Sequence, residues 1–187
     1  MAILALLVRL EGPGQALYPQ ERIGRRGIAF RMWKFRSMRV GSDEGIHQEL
    51  AAQWFAGNES MRGYKSLRDG RVTRIGRLLR RTSLDELPQL LNVMRGEMSL
   101  VGPRPAIPYE LAHYLPWYFE RQRVPPGMTG LWQICRRDLL SAEEMMTLDV
   151  RYVRECSLLL DLKILALTGP TLLAEWLRAR ASQPRTG

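Results

Sequence analysis

Asp85 and Glu86 are adjacent carboxylates in the run Thr82-Ser83-Leu84-Asp85-Glu86-Leu87-Pro88-Gln89, directly behind Arg74, Arg77, Arg80 and Arg81. Paired acids facing many guanidinium groups suit phosphate chemistry, in which a carboxylate attacks or holds a metal ion while arginine forks hold the oxygens. Ser83 and Glu86 also form an S-x-x-E capping box, with Asp85 as a first-turn acid favoured by the helix dipole. Both readings stand on local sequence. Pro88 crowds the backbone of the first turn, which disfavours an ideal cap. Neighbouring positions on an α-helix point about 100° apart, so the two acids cannot readily share one task. One suits attack, the other a metal ion.

Downstream, Ser99-Leu100-Val101-Gly102-Pro103-Arg104-Pro105 reads as a short strand entering a stiff loop, because each proline pushes its predecessor into extended geometry. Gly102 permits close approach of backbone, and Arg104 is presented as a phosphate clamp or, equally, as a structural ion pair. Pro126 to Gln133 places two glycines around Thr129, to line a ligand or to turn the chain. Asp149 and Tyr152, three apart, share a helix face and can bond a ligand or each other.

The elements that carry these residues follow from pattern. Ala16–Ile23 and Ile28–Met38 flank Gly24-Arg25-Arg26-Gly27, which predicts a β-hairpin. Apolar parity in the second arm changes between Met32 and Trp33, predicting a bulge that re-aims Lys34 and Arg36. Helices are expected over 42–56, over 72–81 with Ile75, Leu78 and Leu79 on one face, and from about Ser83 to Arg95 ending at a left-handed Gly96. Further helices are expected over 106–118, 142–154 and 158–176, the last kinked or broken near Pro170. The fold class is α+β, mostly helical with a small β-hairpin, in a single domain over 1–187.

Composition narrows the partners. The net charge is +9 among 187 residues, with Lys34, Lys65 and Lys163 the only lysines. Such a chain suits nucleic acid, an anionic membrane surface or a phosphorylated small molecule. Arginines beside aromatics at Arg31–Arg36 would serve nucleic acid, but no standard binding motif appears and the acid pair would be idle, so nucleic acid is set aside. Cys135 and Cys156, His47 and His113 are too scattered for a metal site and read as packing or surface residues in a reducing setting. The apolar start, Met1 to Val8, is far short of the roughly 20 residues of a membrane span.

Lys34-Phe35-Arg36-Ser37-Met38, the run Arg80–Asn92, Gly96 through Pro105, Pro126–Gln133, and Leu148-Asp149-Val150-Arg151-Tyr152 with Asp161-Leu162-Lys163-Ile164-Leu165 together resemble the bacterial sugar transferases, the monotopic phosphoglycosyl transferases. The motifs occur in order and cover the chain from about Gly12 onward. The resemblance implies an enzyme that transfers a phospho-sugar from a nucleotide diphosphate sugar to a polyprenyl phosphate and starts exopolysaccharide, O-antigen or glycoconjugate synthesis. It implies Asp85 as covalent nucleophile, Glu86 beside it on magnesium, Arg104 and Arg80 on phosphate, and Lys34, Arg36, Asp149 and Tyr152 lining the site. It also implies a place at the cytoplasmic face of the inner membrane. Residues 12–176 correspond to the catalytic region, and residues 1–11 look like the tail of a re-entrant membrane helix most of which the chain lacks. The other readings are a basic nucleic-acid-binding protein and an inactive truncated member acting as an interaction partner. Cys135-Arg136 departs from the small polar residues common in relatives, near expected donor-sugar contacts.

Overall fold

The computed structural model describes residues 1–39, 41, 45–58, 70–135 and 140–181. Helix α1 (Ala2–Leu10) leads into strand β1 (Leu17–Ile23), a 3₁₀ turn (Arg25–Gly27) and strand β2 (Ala29–Phe35). Then come α2 (Gly45–Phe55), α3 (Arg74–Thr82), a 3₁₀ turn (Leu84–Gln89), α4 (Leu90–Met94) and β3 (Ser99–Val101). Two further 3₁₀ segments (Pro108–His113 and Pro116–Arg123) precede β4 (Gly127–Thr129), α5 (Leu131–Ile134), α6 (Ala142–Glu155) and α7 (Leu158–Ala181). The expected α+β, mostly helical architecture is present.

The hairpin forms as expected, but without the bulge. β1 and β2 pair in an unbroken antiparallel register from Leu17↔Phe35 to Ile23↔Ala29. Apolar residues appear on both faces because both are covered: Phe35 packs with Val8 of α1 and Leu79 of α3, and Met32 is buried on the opposite side. The outer edge of β2 is closed by a side chain. Asn92 accepts from Trp33 N at 3.0 Å and donates to Arg31 O at 2.8 Å, as a neighbouring peptide group would.

Helix α3 starts at Thr73, whose hydroxyl accepts from Gly76 N at 3.0 Å, and ends at Ser83 in the left-handed region (φ 55°). Leu79 and Ile75 face the core, whereas Leu78 is exposed, so the apolar stripe is narrower than expected. The stretch after Ser83 is a 3₁₀ turn, and Ser83 makes no side-chain cap. The capping box is therefore absent, in keeping with the crowding expected at Pro88. Gly96 takes the left-handed conformation (φ 74°) expected of it. Prolines 108 and 116 divide the 106–118 segment into separate 3₁₀ pieces. α7, in contrast, runs through Pro170 as one helix.

β3 and β4 are parallel, with Ser99↔Gly127 and Val101↔Thr129 in register. Beside them the backbones of Gly102, Gly127 and Gly130 cross at contact distance. A Cβ on Gly127 would lie 2.1 Å from Gly102 N, and one on Gly130 would lie 2.3 Å from Gly102 O. No side chain larger than hydrogen fits this crossing. Around it, Trp54, Tyr118, Trp132, Met145 and Met146 form one core cluster and Val101, Tyr152 and Ile164 another. Among the described residues no helix is long and apolar enough to cross a membrane.

Gly127→Ala is expected to destabilise the fold by about 3 kcal/mol, because main chain rather than a flexible side chain must yield. Urea unfolding at matched protein concentration measures this, and wild-type stability in the variant would refute the crossing.

Candidate active site

The 3₁₀ geometry of Leu84–Gln89 sorts its side chains onto three faces, since three residues complete a turn and positions i and i+3 eclipse. Leu84 and Leu87 enter the cluster of Val8, Phe35 and Leu79. Asp85 and Pro88 form a second, buried face, and Glu86 and Gln89 form the third. The two acids thus diverge by about 120°, more than an α-helix would separate them. Partial burial of Leu84 and Leu87 against this cluster helps hold the turn against the strain of left-handed Ser83.

β2 packs along this turn and brings Lys34 to Glu86, with Nζ and Oε1 3.5 Å apart and both side chains partly exposed. Arg80 donates from Nε to Ser37 Oγ at 2.9 Å. Arg36 does not line this surface. Its guanidinium donates to Val8 O at 3.0 Å, to Gly12 O at 2.8 Å and to Pro13 O, closing the end of α1. Asp85, Glu86 and Lys34, with Arg80 anchored nearby at Ser37, are the predicted residues that gather on the 3₁₀ turn and the strand end beside it.

Arg104 belongs to a second constellation. Its Nη1 donates to both Glu110 oxygens at 2.9 and 3.0 Å, the ion pair left open by the sequence. Its peptide is clasped from both sides: Arg104 N donates to Asp149 Oδ2 at 3.3 Å, and Arg121 Nη2 donates to Arg104 O. Arg121 and Asp149 close the clasp as a buried ion pair at 2.5 Å, and Arg121 also donates to Tyr114 Oη at 2.6 Å. Tyr152, which the sequence left to bond a ligand or Asp149, donates to Asp161 Oδ1 at 2.8 Å and lies 3.3 Å from Val101 O. Asp149 and Tyr152 thus steady the backbone from Val101 to Arg104.

The hairpin joins the two constellations. Near its tip Ile23 N donates to Ala106 O at 2.8 Å and Arg22 donates to Pro105 O at 3.0 Å. Lys34 lies at the other end, four residues along β2 from Phe30, the partner of Arg22, or roughly 13 Å of strand. Sequence reasoning missed Glu110, Arg121, Asn92 and Arg22. Only Glu110 had a local signal: it follows Pro108 at a helix start and reaches back to Ile107 N at 2.9 Å.

Charges in the clasp titrate unusually. Burial pushes the Asp149 carboxyl up to about 6, with Arg121 opposing, so it is ionised at neutral pH. Burial also penalises ionised Glu110, but Arg104 and Arg22 outweigh this and hold it below the usual carboxylate range. Among the described residues no cluster of three or more metal-ligating side chains occurs. Glu86, partly exposed on its own face of the turn, nevertheless fits magnesium, which takes one or two carboxylates and completes its shell with water and substrate phosphates. Cys135 is partly buried and Cys156 exposed, both as thiols. Arg136 lies outside the described residues.

The chain matches the Bacterial sugar transferase family over residues 1–175, and it belongs to that family. It is 46% identical over 168 residues to a UDP-galactose-lipid carrier transferase of Erwinia amylovora, covering 88% of this chain and 34% of that protein. Identity is 42% over 160 residues to an undecaprenyl-phosphate galactose phosphotransferase of Salmonella typhimurium, covering 86% of this chain and 34% of that one. With the exopolysaccharide production protein ExoY of Rhizobium meliloti it is 41% over 168 residues, 90% of this chain and 74% of ExoY. The chain spans about a third of the length of the first two relatives.

The clasp predicts a pH signature. The folded state favours protonated Asp149 between its ordinary value of 3.8 and about 6, so its contribution to stability is complete below pH 3.8 and lost as pH rises to about 6. Glu110 acts oppositely: its contribution is present above 4.5 and lost as pH falls below that value. The stability difference between wild type and Asp149→Asn, from chemical denaturation at stepped pH, is expected to change across pH 4–6 and to be flat above 7. A constant difference throughout would contradict the assignment.

Proposed function

We propose that the protein is a sugar-phosphate transferase that moves a phospho-sugar from a nucleotide diphosphate sugar to a polyprenyl phosphate at the cytoplasmic face of a membrane, at the start of glycan assembly. The observation that carries this reading is the acid pair itself, presented on a 3₁₀ turn with Lys34 beside Glu86, in a chain of a family whose relatives are named for lipid-carrier sugar transfer.

In this reading an Asp85 oxygen attacks the phosphorus that bears the sugar. The new Oδ–P bond forms as the bridging P–O bond breaks, and the electron pair leaves with the nucleoside monophosphate. A polyprenyl phosphate oxygen then attacks the same phosphorus and restores the Asp85 carboxylate, so no net proton is needed. Attack of one anion on another requires local positive charge. Lys34 supplies one such charge beside the dyad. Glu86 would hold magnesium beside the attacking Asp85, and the ion when bound would draw charge off the leaving phosphate. The arginine-rich surface around Arg80, and Arg104 if Glu110 shares it, would bind the remaining phosphate oxygens.

The lipid partner fits the exposed apolar side chains. Ile3, Leu6 and Leu10 lie on one face of α1, and Leu158, Leu159 and Leu162 lead the long helix α7. Together with the net charge of +9, they suit an anionic lipid surface.

Incubation of the full chain with labelled nucleotide sugars and magnesium is expected to add one phospho-sugar to the intact mass, and Asp85→Asn to abolish it. Lys34→Met should slow adduct formation by about a hundredfold, while stability changes little because the Lys34–Glu86 pair is partly exposed. An adduct that survives Asp85→Asn, or none with any donor in wild type, overturns the mechanism.

A further inference from the structure

Two charged side chains fasten α1 to the elements that carry the acid pair, and neither task follows from the chemistry above. Glu11, just past α1, places both carboxylate oxygens on Ile75 N, at 2.8 and 2.9 Å, and accepts from the Thr73 hydroxyl. A carboxylate from a distant segment thus caps the start of α3. Arg36, just past β2, donates to Val8 O, Gly12 O and Pro13 O at the end of α1. Each charge sits at the helix end its sign favours, negative at the start of α3 and positive at the end of α1.

Between the two contacts, Ser37 is bonded directly to α3 and its cap. Ser37 O accepts from Thr73 N at 3.1 Å, and Ser37 Oγ accepts from Arg80 Nε at 2.9 Å. A Cβ on Gly76 would lie 2.1 Å from Ser37 O, so the strand end is pressed into the first turn of α3 with no slack. Val8, Phe35 and Leu79 pack beneath as one cluster. Lys34 is two residues before Arg36, and Asp85 is three residues after the end of α3. A change in the attitude of α1 therefore reaches both sides of the acid pair.

We propose that Glu11 and Arg36 are positioning residues that latch α1 to the start of α3 and the end of β2, so that the seating of α1 sets where Asp85, Glu86 and Lys34 stand. The outer face of α1 carries exposed Ile3, Leu6 and Leu10, so contact of this face with lipid would hold the latch, and with it the site, in one arrangement. The functional part of this proposal rests on the phosphoglycosyl transfer reading, whereas the latch itself does not.

The test uses the full chain in vesicles of phosphatidylethanolamine and phosphatidylglycerol, as wild type, Glu11→Ala, Glu11→Gln and Arg36→Lys. Hydrogen exchange reads the latch without activity: Glu11→Ala and Arg36→Lys should each speed exchange in both the end of α1 and the first turn of α3. Adduct formation reads its consequence. Glu11→Ala should lower kcat about tenfold, with KM for the donor within about twofold, well below its melting temperature. Glu11→Gln, which keeps an acceptor oxygen, should recover part of the loss. Faster exchange confined to α3, with kcat kept, would reduce Glu11 to an ordinary helix cap and overturn the proposal. A wild type that forms no adduct would sink the transfer reading instead, and exchange alone would then decide the latch: coupled loss of protection in α1 and α3 supports it, and uncoupled loss refutes it.

Discussion

The buried pair of Arg121 and Asp149 is the interaction on which the second half of the molecule depends. At 2.5 Å, with both side chains almost fully enclosed, each side chain is the other's principal charged partner. Losing one partner of such a pair costs about 3–5 kcal/mol, although the pair itself adds little net stability over an apolar filling. Its value here is geometric. Arg121 takes the carbonyl of Arg104 and Asp149 takes its amide, so the peptide is gripped from both sides before Glu110 seizes the side chain. The clasp can close only because the Gly102, Gly127 and Gly130 backbones cross without side chains.

The first half is organised around the hairpin. Its tip holds the Arg104 loop through Ile23 and Arg22, its outer edge is completed by Asn92, and its base brings Lys34 to Glu86. Asn92 is fully buried and also donates to Glu97 Oε2 at 2.6 Å, so one amide ties β2 to the turn after α4. The acid pair is thus fixed between two rigid objects, the strand and the leucines of its own 3₁₀ turn. In the proposed transfer, an Asp85 held this way would lose little freedom when substrate binds, and much of the benefit of proximity would be available to the reaction.

Much of this was legible where local chemistry decides. The Gly-Arg-Arg-Gly turn, the left-handed Gly96, the strand before Gly102 and the distortion at Pro88 all follow from backbone preferences of single residues, and all appear. Pattern failed where a second surface intervenes. The parity change in β2 signals coverage of both faces rather than a bulge, and Leu78 belongs to an exposed flank rather than the core. Pro170 is accommodated within α7, where the loss of one backbone hydrogen bond is offset along a helix of 24 residues. Arginine roles were the least readable. A guanidinium reaches a long way, and nothing in the sequence says that Arg36 turns back to α1 or that Arg121 folds inward to Asp149.

Those arginine roles change the meaning of the composition. A net charge of +9 suggests a surface prepared for phosphates, yet Arg22, Arg36 and Arg121 direct donors to main-chain carbonyls, and Arg104 gives a donor to Glu110. The planar fork suits this work, because it satisfies two or more fixed acceptors at once and stays charged when buried. Lys34, one of three lysines, stands at the acid pair and contacts Glu86 at only 3.5 Å in a partly exposed setting. In the proposed transfer, a compact ammonium with rotatable donors would leave the carboxylate for a phosphate oxygen and return, at a cost of about 1 kcal/mol. The division is physical: the forks of Arg22, Arg36 and Arg121 hold main chain in place, and the Lys34 point charge keeps a single, partly exposed contact with Glu86.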